Sequence, residues 1–191
     1  MKVVGEFCPT SKDDWRSWLM ENHLTKQGVW LICHKKKSAG PTLSWTDAVD
    51  VALCFGWIDS VRKTIDADRF IQFYGPRKPK GTWSKINKEK IQVLLEAGLM
   101  APAGIACVER AKQNGSWESL DEVETLTVPP DLEVVLLKNP VAMEFFEGLS
   151  KSVRKSILHW VLLAKRPETK QKRIDELIQN GNERKKPFHL Q

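Results

Sequence analysis

The sequence predicts an α+β fold, with a small antiparallel sheet covered by helices and followed by a helical C-terminal section. Two observations predict it. The segments 28–34, 57–65 and 69–74 are rich in strand-forming residues, and the acidic turn 66–68 joins the last two as a hairpin. After Pro130, apolar residues recur at helical spacing instead.

Three helices of the first section begin at a serine that can cap them. Ser11 precedes a helix that ends near His23, Ser44 precedes the next, and Ser84 precedes a third that ends at Gly98. A serine side chain at this position accepts a hydrogen bond from a free N–H of the first turn. We therefore expect these helices to start where the serines stand.

The remaining chain divides by composition. An acidic, loop-like stretch predicts a linker, and the segment after it contains helices such as the one capped by Ser150. The predicted organisation is an α+β section with a basic hairpin and loop, an acidic linker, a helical section and a frayed tail, at residues 1–117, 118–130, 131–181 and 182–191.

Length and composition exclude several classes of protein. The chain has 191 residues and carries a net charge of +6. Its hydrophobic fraction of 41% is too high for a disordered chain. The first residues lack the apolar run of a signal peptide, and no segment approaches the ~20 uncharged apolar residues of a membrane span. We therefore expect a cytoplasmic protein. The four cysteines lie far apart without a C-x-x-C motif, which predicts buried thiols rather than a zinc site or a disulfide framework.

The modest net charge conceals charged segments of opposite sign. Residues 62–90 hold nine basic and three acidic side chains, residues 91–150 hold three and ten, and residues 151–191 hold eleven and four. Clustered Lys and Arg favour an anion-binding face. The alternative is that the segments neutralise one another across the fold.

The first candidate site is the strand from Trp57 to Lys63. In a regular strand Trp57, Asp59 and Lys63 point to one face, and Arg62 points to the other. Asp59 stands between apolar neighbours and loses hydration there, and such carboxylates often mark functional sites. The alternative is a structural Asp59 that pairs with Lys63 or Arg62 or accepts backbone hydrogen bonds in the hairpin.

The second candidate site is the loop 76–85, which interleaves cations with an aromatic residue. The helix that begins at Ser84 offers free N–H groups beside it, so the loop suits phosphate, a carboxylate or a nucleic-acid backbone, with Trp83 as a stacking platform. The alternative is that Trp83 packs against its helix. Together the two segments give the predicted ligand-binding residues: Trp57, Asp59, Arg62, Lys63, Arg77, Lys78, Lys80, Trp83, Ser84 and Lys85.

Five tryptophans are assigned to packing. They fall on apolar helical faces or in a buried strand, whereas Trp57 and Trp83 remain candidates for binding. The packing set is Trp15, Trp18, Trp30, Trp45 and Trp160.

No common catalytic signature is present. The chain lacks H-E-x-x-H, G-x-S-x-G, a P-loop and G-x-G-x-x-G. The histidines are scattered, and the acidic stretch lacks the ligand spacing of a calcium loop. The sequence therefore predicts no catalytic residues, no metal and no cofactor.

Several segments resemble the bacterial YdeI/OmpD-associated family, which is also labelled bacteriocin-protection. The resemblance runs over about residues 6–180, and these segments carry it: Ala52–Lys63, Pro76–Lys80, Thr82–Asn87, Met100–Gly104, Pro140, Phe145–Ser150, His159–Trp160 and Ala164–Thr169. It implies a link to resistance against cationic antimicrobial peptides or bacteriocins and to an outer-membrane porin. It implies no catalytic residues.

These observations predict a non-enzymatic cytoplasmic binding protein, linked to envelope stress or to tolerance of cationic antimicrobial peptides and bacteriocins, whose partner is an unidentified anionic ligand or protein. A nucleic-acid or other polyanion binder is the first alternative, although one loop offers fewer phosphate contacts than the about 6–10 of specific binders. An enzyme that uses Asp59 as acid or base beside Arg62 is the second, and it lacks a nucleophile–base pair. No oligomeric state is predicted.

Overall fold

The chain divides after Glu118 into two units in this computed structural model, residues 1–118 and residues 119–191. The structure describes residues 5–35, 37–38, 43–164 and 166–185. The last six residues of the predicted tail, 182–191, lie outside the described residues.

The first unit is built from a sheet and helices. Its elements are β1 (Glu6–Phe7), α1 (Lys12–Asn22), β2 (Val29–His34), α2 (Trp45–Cys54), β3 (Trp57–Thr64), β4 (Arg69–Pro76), α3 (Lys85–Glu96) and α4 (Pro102–Gln113). Within the described residues, the sheet has the strand order β1-β2-β4-β3. The α+β prediction is confirmed, but the sheet is mixed because β1 pairs parallel to β2, whereas β4 is antiparallel to both β2 and β3. A two-residue strand is too short to show a period in the sequence.

The predicted helix caps are confirmed. The side chains of Ser11, Ser44, Ser84 and Ser150 each accept a hydrogen bond from the backbone N–H three residues further on. Each satisfies one of the N–H groups that a helix leaves free at its start.

The core of the first unit is centred on α2. The indole N–H of Trp15 in α1 donates to the carbonyl of Ala48 at 3.0 Å, and the N–H of Ala101 before α4 donates to the carbonyl of Cys54 at 2.9 Å. Because β3 begins three residues after Cys54, these bonds fix the point where the predicted site strand starts.

The cysteines follow the predicted pattern with one exception. Cys33, Cys54 and Cys107 are buried thiols, whereas Cys8 is exposed because it follows the short edge strand β1. Burial raises the pKa of Cys33 to about 11, which keeps this thiol protonated and unreactive at neutral pH.

The second unit is helical over its described residues. Its elements are α5 (Asp121–Glu124), α6 (Pro130–Leu137), α7 (Pro140–Gly148), α8 (Lys151–Leu162) and α9 (Pro167–Asn182). The segment 118–130, which the sequence predicts as a linker, contains α5 and buries Leu120 and Val123 in the core of this unit, while Asp121 and Glu122 stay exposed. Across the described part of the chain, no helix combines the length and apolar character that crossing a membrane requires.

His159 in α8 gives this unit a pH dependence. Burial lowers its pKa, and its Nε2 atom is buried without a hydrogen-bond partner among the described residues. Because the unfolded chain keeps the ordinary histidine pKa of about 6.5, it binds the proton first as the pH falls, and stability is lost below that value. We expect the melting temperature of the wild type to fall further than that of His159→Gln between about pH 7.5 and about pH 5.5. Equal losses in the two proteins would contradict this.

Candidate functional site

The pairing of β3 with β4 is irregular at the first candidate site. Asp59 lies opposite Tyr74 and Arg62 lies opposite Gln72, so β3 advances three residues while β4 advances two. This is the pattern of a β-bulge. Since Tyr74 and Gln72 share a face of β4, Asp59 and Arg62 share a face of β3. The prediction that Arg62 points away from Asp59 is wrong because it assumed a regular strand.

The same bulge moves Lys63 away from Asp59. Lys63 lies opposite Ile71, on the other face of the sheet. Its Nζ atom is 5.0 Å from the ring centroid of Trp30, a cation–π distance. The prediction that Asp59 and Lys63 share a face is therefore also wrong.

Asp59 holds neighbouring side chains. Its Oδ2 atom accepts hydrogen bonds from Nε1 of Trp45 at 3.0 Å and from Nε2 of Gln72 at 3.2 Å. Gln72 is only 3% exposed and also donates to the carbonyl of Ser60 at 3.1 Å. These two neutral donors from α2 and β4 orient the carboxylate, and the carboxylate in turn fixes the indole of Trp45.

Arg62 lines a cavity of about 540 Å³, which is within the usual range for small-molecule sites. Among the described residues, the others that line it are His34, Lys35, Leu43, Ser44, Trp45, Thr46 and Phe70. The Cζ atom of Arg62 lies 3.7 Å from the ring centroid of Phe70, a cation–π contact that favours this position of an otherwise exposed side chain. No carboxylate side chain is among the described residues that line this cavity.

Two further basic side chains border the cavity at the end of β2. The Nζ atom of Lys35 donates to the carbonyls of Asp66 and Ala67, both at 2.9 Å, which ties this lysine to the hairpin turn. The Nδ1 atom of His34 is buried and has no hydrogen-bond partner among the described residues. Within the same described ranges, no cluster of three or more His, Cys, Asp or Glu side chains is placed to hold a metal ion.

The two tryptophans predicted for binding are core residues. Trp57 is 1% exposed and donates from Nε1 to the carbonyl of His23 at 3.3 Å. Trp83 is 2% exposed, with its ring centroid 4.9 Å from that of Trp117. A stacking platform needs an accessible ring face, so neither residue is placed to stack on a ligand.

Arg77 is buried beside Trp83. It is 8% exposed, its Cζ atom is 3.6 Å from the ring centroid of Trp83, and its Nη2 atom donates to the carbonyl of Thr82 at 2.6 Å. Burial lowers its pKa to about 10. Its Nε and Nη1 atoms are buried and have no partner among the described residues. These contacts give Arg77 a role in holding the loop.

The rest of the loop 76–85 lies away from the cavity lining. Lys78, Lys80 and Lys85 are exposed, and Lys85 pairs with Glu89 at 3.8 Å along α3. Ser84 caps α3. Of the predicted residues, the structure thus brings together Arg62, which lines the cavity, and Asp59, which holds its Trp45 wall.

Trp45 differs from its predicted role in the opposite direction to Trp57 and Trp83. It was expected to pack, but it is 49% exposed and lines the cavity. Its position as the first residue of α2, directly after the cap, is the signal that points to this placement, because the first turn of a helix is its least enclosed part. His34 and Lys35, at the end of β2, are also missing from the predicted set.

Comparisons with known proteins agree with the resemblance in the C-terminal part of the chain. Residues 125–183 match the family model described as Bacteriocin-protection, YdeI or OmpD-Associated, which confirms that resemblance. Residues 7–107 match a second family model, described as Domain of unknown function (DUF8412). No curated protein and no solved structure matches the chain. Since the second model spans more than half of its 191 residues, the chain belongs to the DUF8412 family and carries a YdeI/OmpD-associated region at residues 125–183.

Proposed function

We propose that the first unit binds a small anion in the cavity that Arg62 lines. The observation that carries the proposal is the position of the Arg62 guanidinium, held on Phe70 beside the cavity and without a carboxylate partner among the described residues. A cation whose position is already favoured before binding loses less side-chain freedom when an anion arrives.

The surroundings of Arg62 support this proposal. Lys35 adds a second positive charge to the same lining, and Thr46 adds a hydroxyl group. Positive charge at a concave surface attracts anions more strongly than the same charge on an open surface.

The proposal is tested with inorganic phosphate as the probe and two variants that remove equal charge. We expect Arg62→Ala to weaken phosphate binding about tenfold, because it removes one charge-assisted hydrogen bond. Lys63→Ala removes the same charge from the opposite face of the sheet, and we expect less than about a twofold change because exposed charges are screened. Isothermal titration calorimetry at low ionic strength measures both.

Two outcomes would overturn the proposal. Equal losses in Arg62→Ala and Lys63→Ala would show that phosphate responds to net charge alone. Failure of the wild-type protein to bind phosphate or small carboxylates at low ionic strength would remove the site.

A polyanion is the second candidate, favoured by the exposed Lys78 and Lys80 of the loop. It predicts binding to unrelated nucleic-acid sequences that falls steeply with added salt. Lys78→Ala and Lys80→Ala would weaken that binding, whereas Arg62→Ala would leave it nearly unchanged.

We also propose a route by which the chain takes part in bacteriocin protection, the property named in the description of the family at residues 125–183. Residues 1–118 carry a net charge of +5 and residues 119–191 carry +1, so net charge disfavours direct capture of a cationic peptide by either unit. Binding of an anionic ligand is the better supported route. In a bacterium that depends on this chain for protection, we then expect the Lys63→Ala variant to preserve survival on exposure to a bacteriocin. We expect the Arg62→Ala variant to reduce it.

A further inference from the structure

The cavity has an aromatic wall whose orientation is fixed. The side chain of Trp45 is 49% exposed, although burial of such a large apolar side chain is favourable. Its Nε1 atom donates to Oδ2 of Asp59 at 3.0 Å. Asp59 is itself held by Gln72, a side chain that is 3% exposed. The indole is thus held in place from the sheet while much of its surface stays accessible.

The fixed indole and the guanidinium of Arg62 belong to the same cavity. Arg62 is held on Phe70, and Trp45 is held by Asp59. The indole of Trp45 is suited to stacking on a flat ring, and the guanidinium of Arg62 is suited to pairing with a negative charge. A ligand that uses both contacts carries an aromatic ring and an anionic group in one small molecule.

We propose that the ligand is an aromatic anion whose ring stacks on Trp45 while its phosphate or carboxylate pairs with Arg62. This inference rests on the proposed anion site and adds the chemical class of the ligand. A nucleoside monophosphate has this chemistry, and a cavity of about 540 Å³ is within the range of sites for molecules of this size. Asp59 acts as a positioning residue, because it contacts Trp45 rather than the cavity itself.

The test uses three probes that differ in one part at a time: inorganic phosphate, ribose 5-phosphate and adenosine 5′-monophosphate. We expect the wild type to bind the adenine nucleotide about tenfold more tightly than ribose 5-phosphate, because one base stacks on an aromatic side chain. In Trp45→Leu this difference is expected to vanish, while phosphate binding stays within about twofold of the wild type because the charged groups are unchanged. Trp30→Leu, on the other face of the sheet, is the matched control and should keep the difference.

A second variant separates the role of Asp59 from that of the ring. Asp59→Ala leaves Trp45 in place but removes its hydrogen bond, so we expect part of the nucleotide preference over ribose 5-phosphate to be lost. Phosphate binding is expected to be retained or strengthened, because the substitution also removes a negative charge from the face of β3 that carries Arg62. A merely structural Asp59 would change both probes equally, or neither.

The possible failures are distinguishable. Arg62-dependent phosphate binding without any preference for the nucleotide would overturn this inference and leave the proposed anion site standing. Absence of binding by every probe would overturn both. Tight binding of a single-stranded oligonucleotide that depends on Lys78 and Lys80 but not on Trp45 would replace the small-molecule site by a polyanion surface.

Discussion

Replacing Gly104 by alanine is expected to lower the free energy of unfolding by about 3 kcal/mol, at the upper end of the usual cost of overpacking. A Cβ atom at this position would lie 2.2 Å from the carbonyl oxygen of Cys54 and 2.7 Å from its carbonyl carbon. Both are backbone atoms at the end of α2, so no side-chain rotation relieves the clash. α4 would have to move away from α2 and would strain the hydrogen bond from Ala101 to Cys54.

The matched control for this substitution is Gly148→Ala. Gly148 is the last residue of α7, and a Cβ atom there would meet nothing within 4 Å. We expect this variant to be unchanged or to gain up to about 1 kcal/mol, because alanine favours helix more than glycine does. Denaturant unfolding measured by circular dichroism compares the two variants with the wild type. Equal effects of the two substitutions would contradict the close packing of α4 on α2.

Trp83→Ala is expected to lower the free energy of unfolding by about 4 kcal/mol, as removal of a buried aromatic side chain does. Trp83 is 2% exposed and packs against Trp117 and the guanidinium of Arg77. Trp45→Ala is the control, since its side chain is 49% exposed, and we expect it to cost less than about 1 kcal/mol. Tryptophan fluorescence follows the first unit, because seven of the eight tryptophans lie within residues 1–118.

A milder substitution at Trp83 tests whether this residue contributes to ligand binding as well as to packing. If Trp83→Ala fails to fold, Trp83→Phe keeps most of the packing and serves in its place. We expect the phosphate and nucleotide affinities of Trp83→Phe to stay within about twofold of the wild type, because no residue of the loop 76–85 lines the cavity. Loss of phosphate or nucleotide binding in Trp83→Phe at unchanged stability would indicate that the binding site is in the loop 76–85.

Local chemistry made much of the fold predictable. A serine cap depends on residues within one turn of it, so the starts of the helices after Ser11, Ser44, Ser84 and Ser150 follow from the sequence. The β3–β4 hairpin follows similarly from two strand-forming runs around an acidic turn. In contrast, β1 has two residues and no pattern of its own.

The site was less predictable because distant residues decide it. The assignment of faces along β3 failed at Arg62, since a bulge is a property of the pairing with β4 rather than of either strand. Trp83 is buried because Trp117, more than 30 residues later, packs against it. Trp45 is held at the cavity because Asp59, in the next strand, accepts its N–H. Each contact joins elements that the sequence places apart.

The cavity assignment is tested most directly by the indole N–H signals in an NMR titration with adenosine 5′-monophosphate. The signal of Trp45 is assigned as the one that disappears in Trp45→Phe, and those of Trp57 and Trp83 are assigned in the same way. We predict that the Trp45 signal shifts saturably with the nucleotide and that the signals of Trp57 and Trp83 stay in place. A saturable shift of Trp83 or Trp57 with an unmoved Trp45 signal would contradict the site proposed at Arg62 and Trp45.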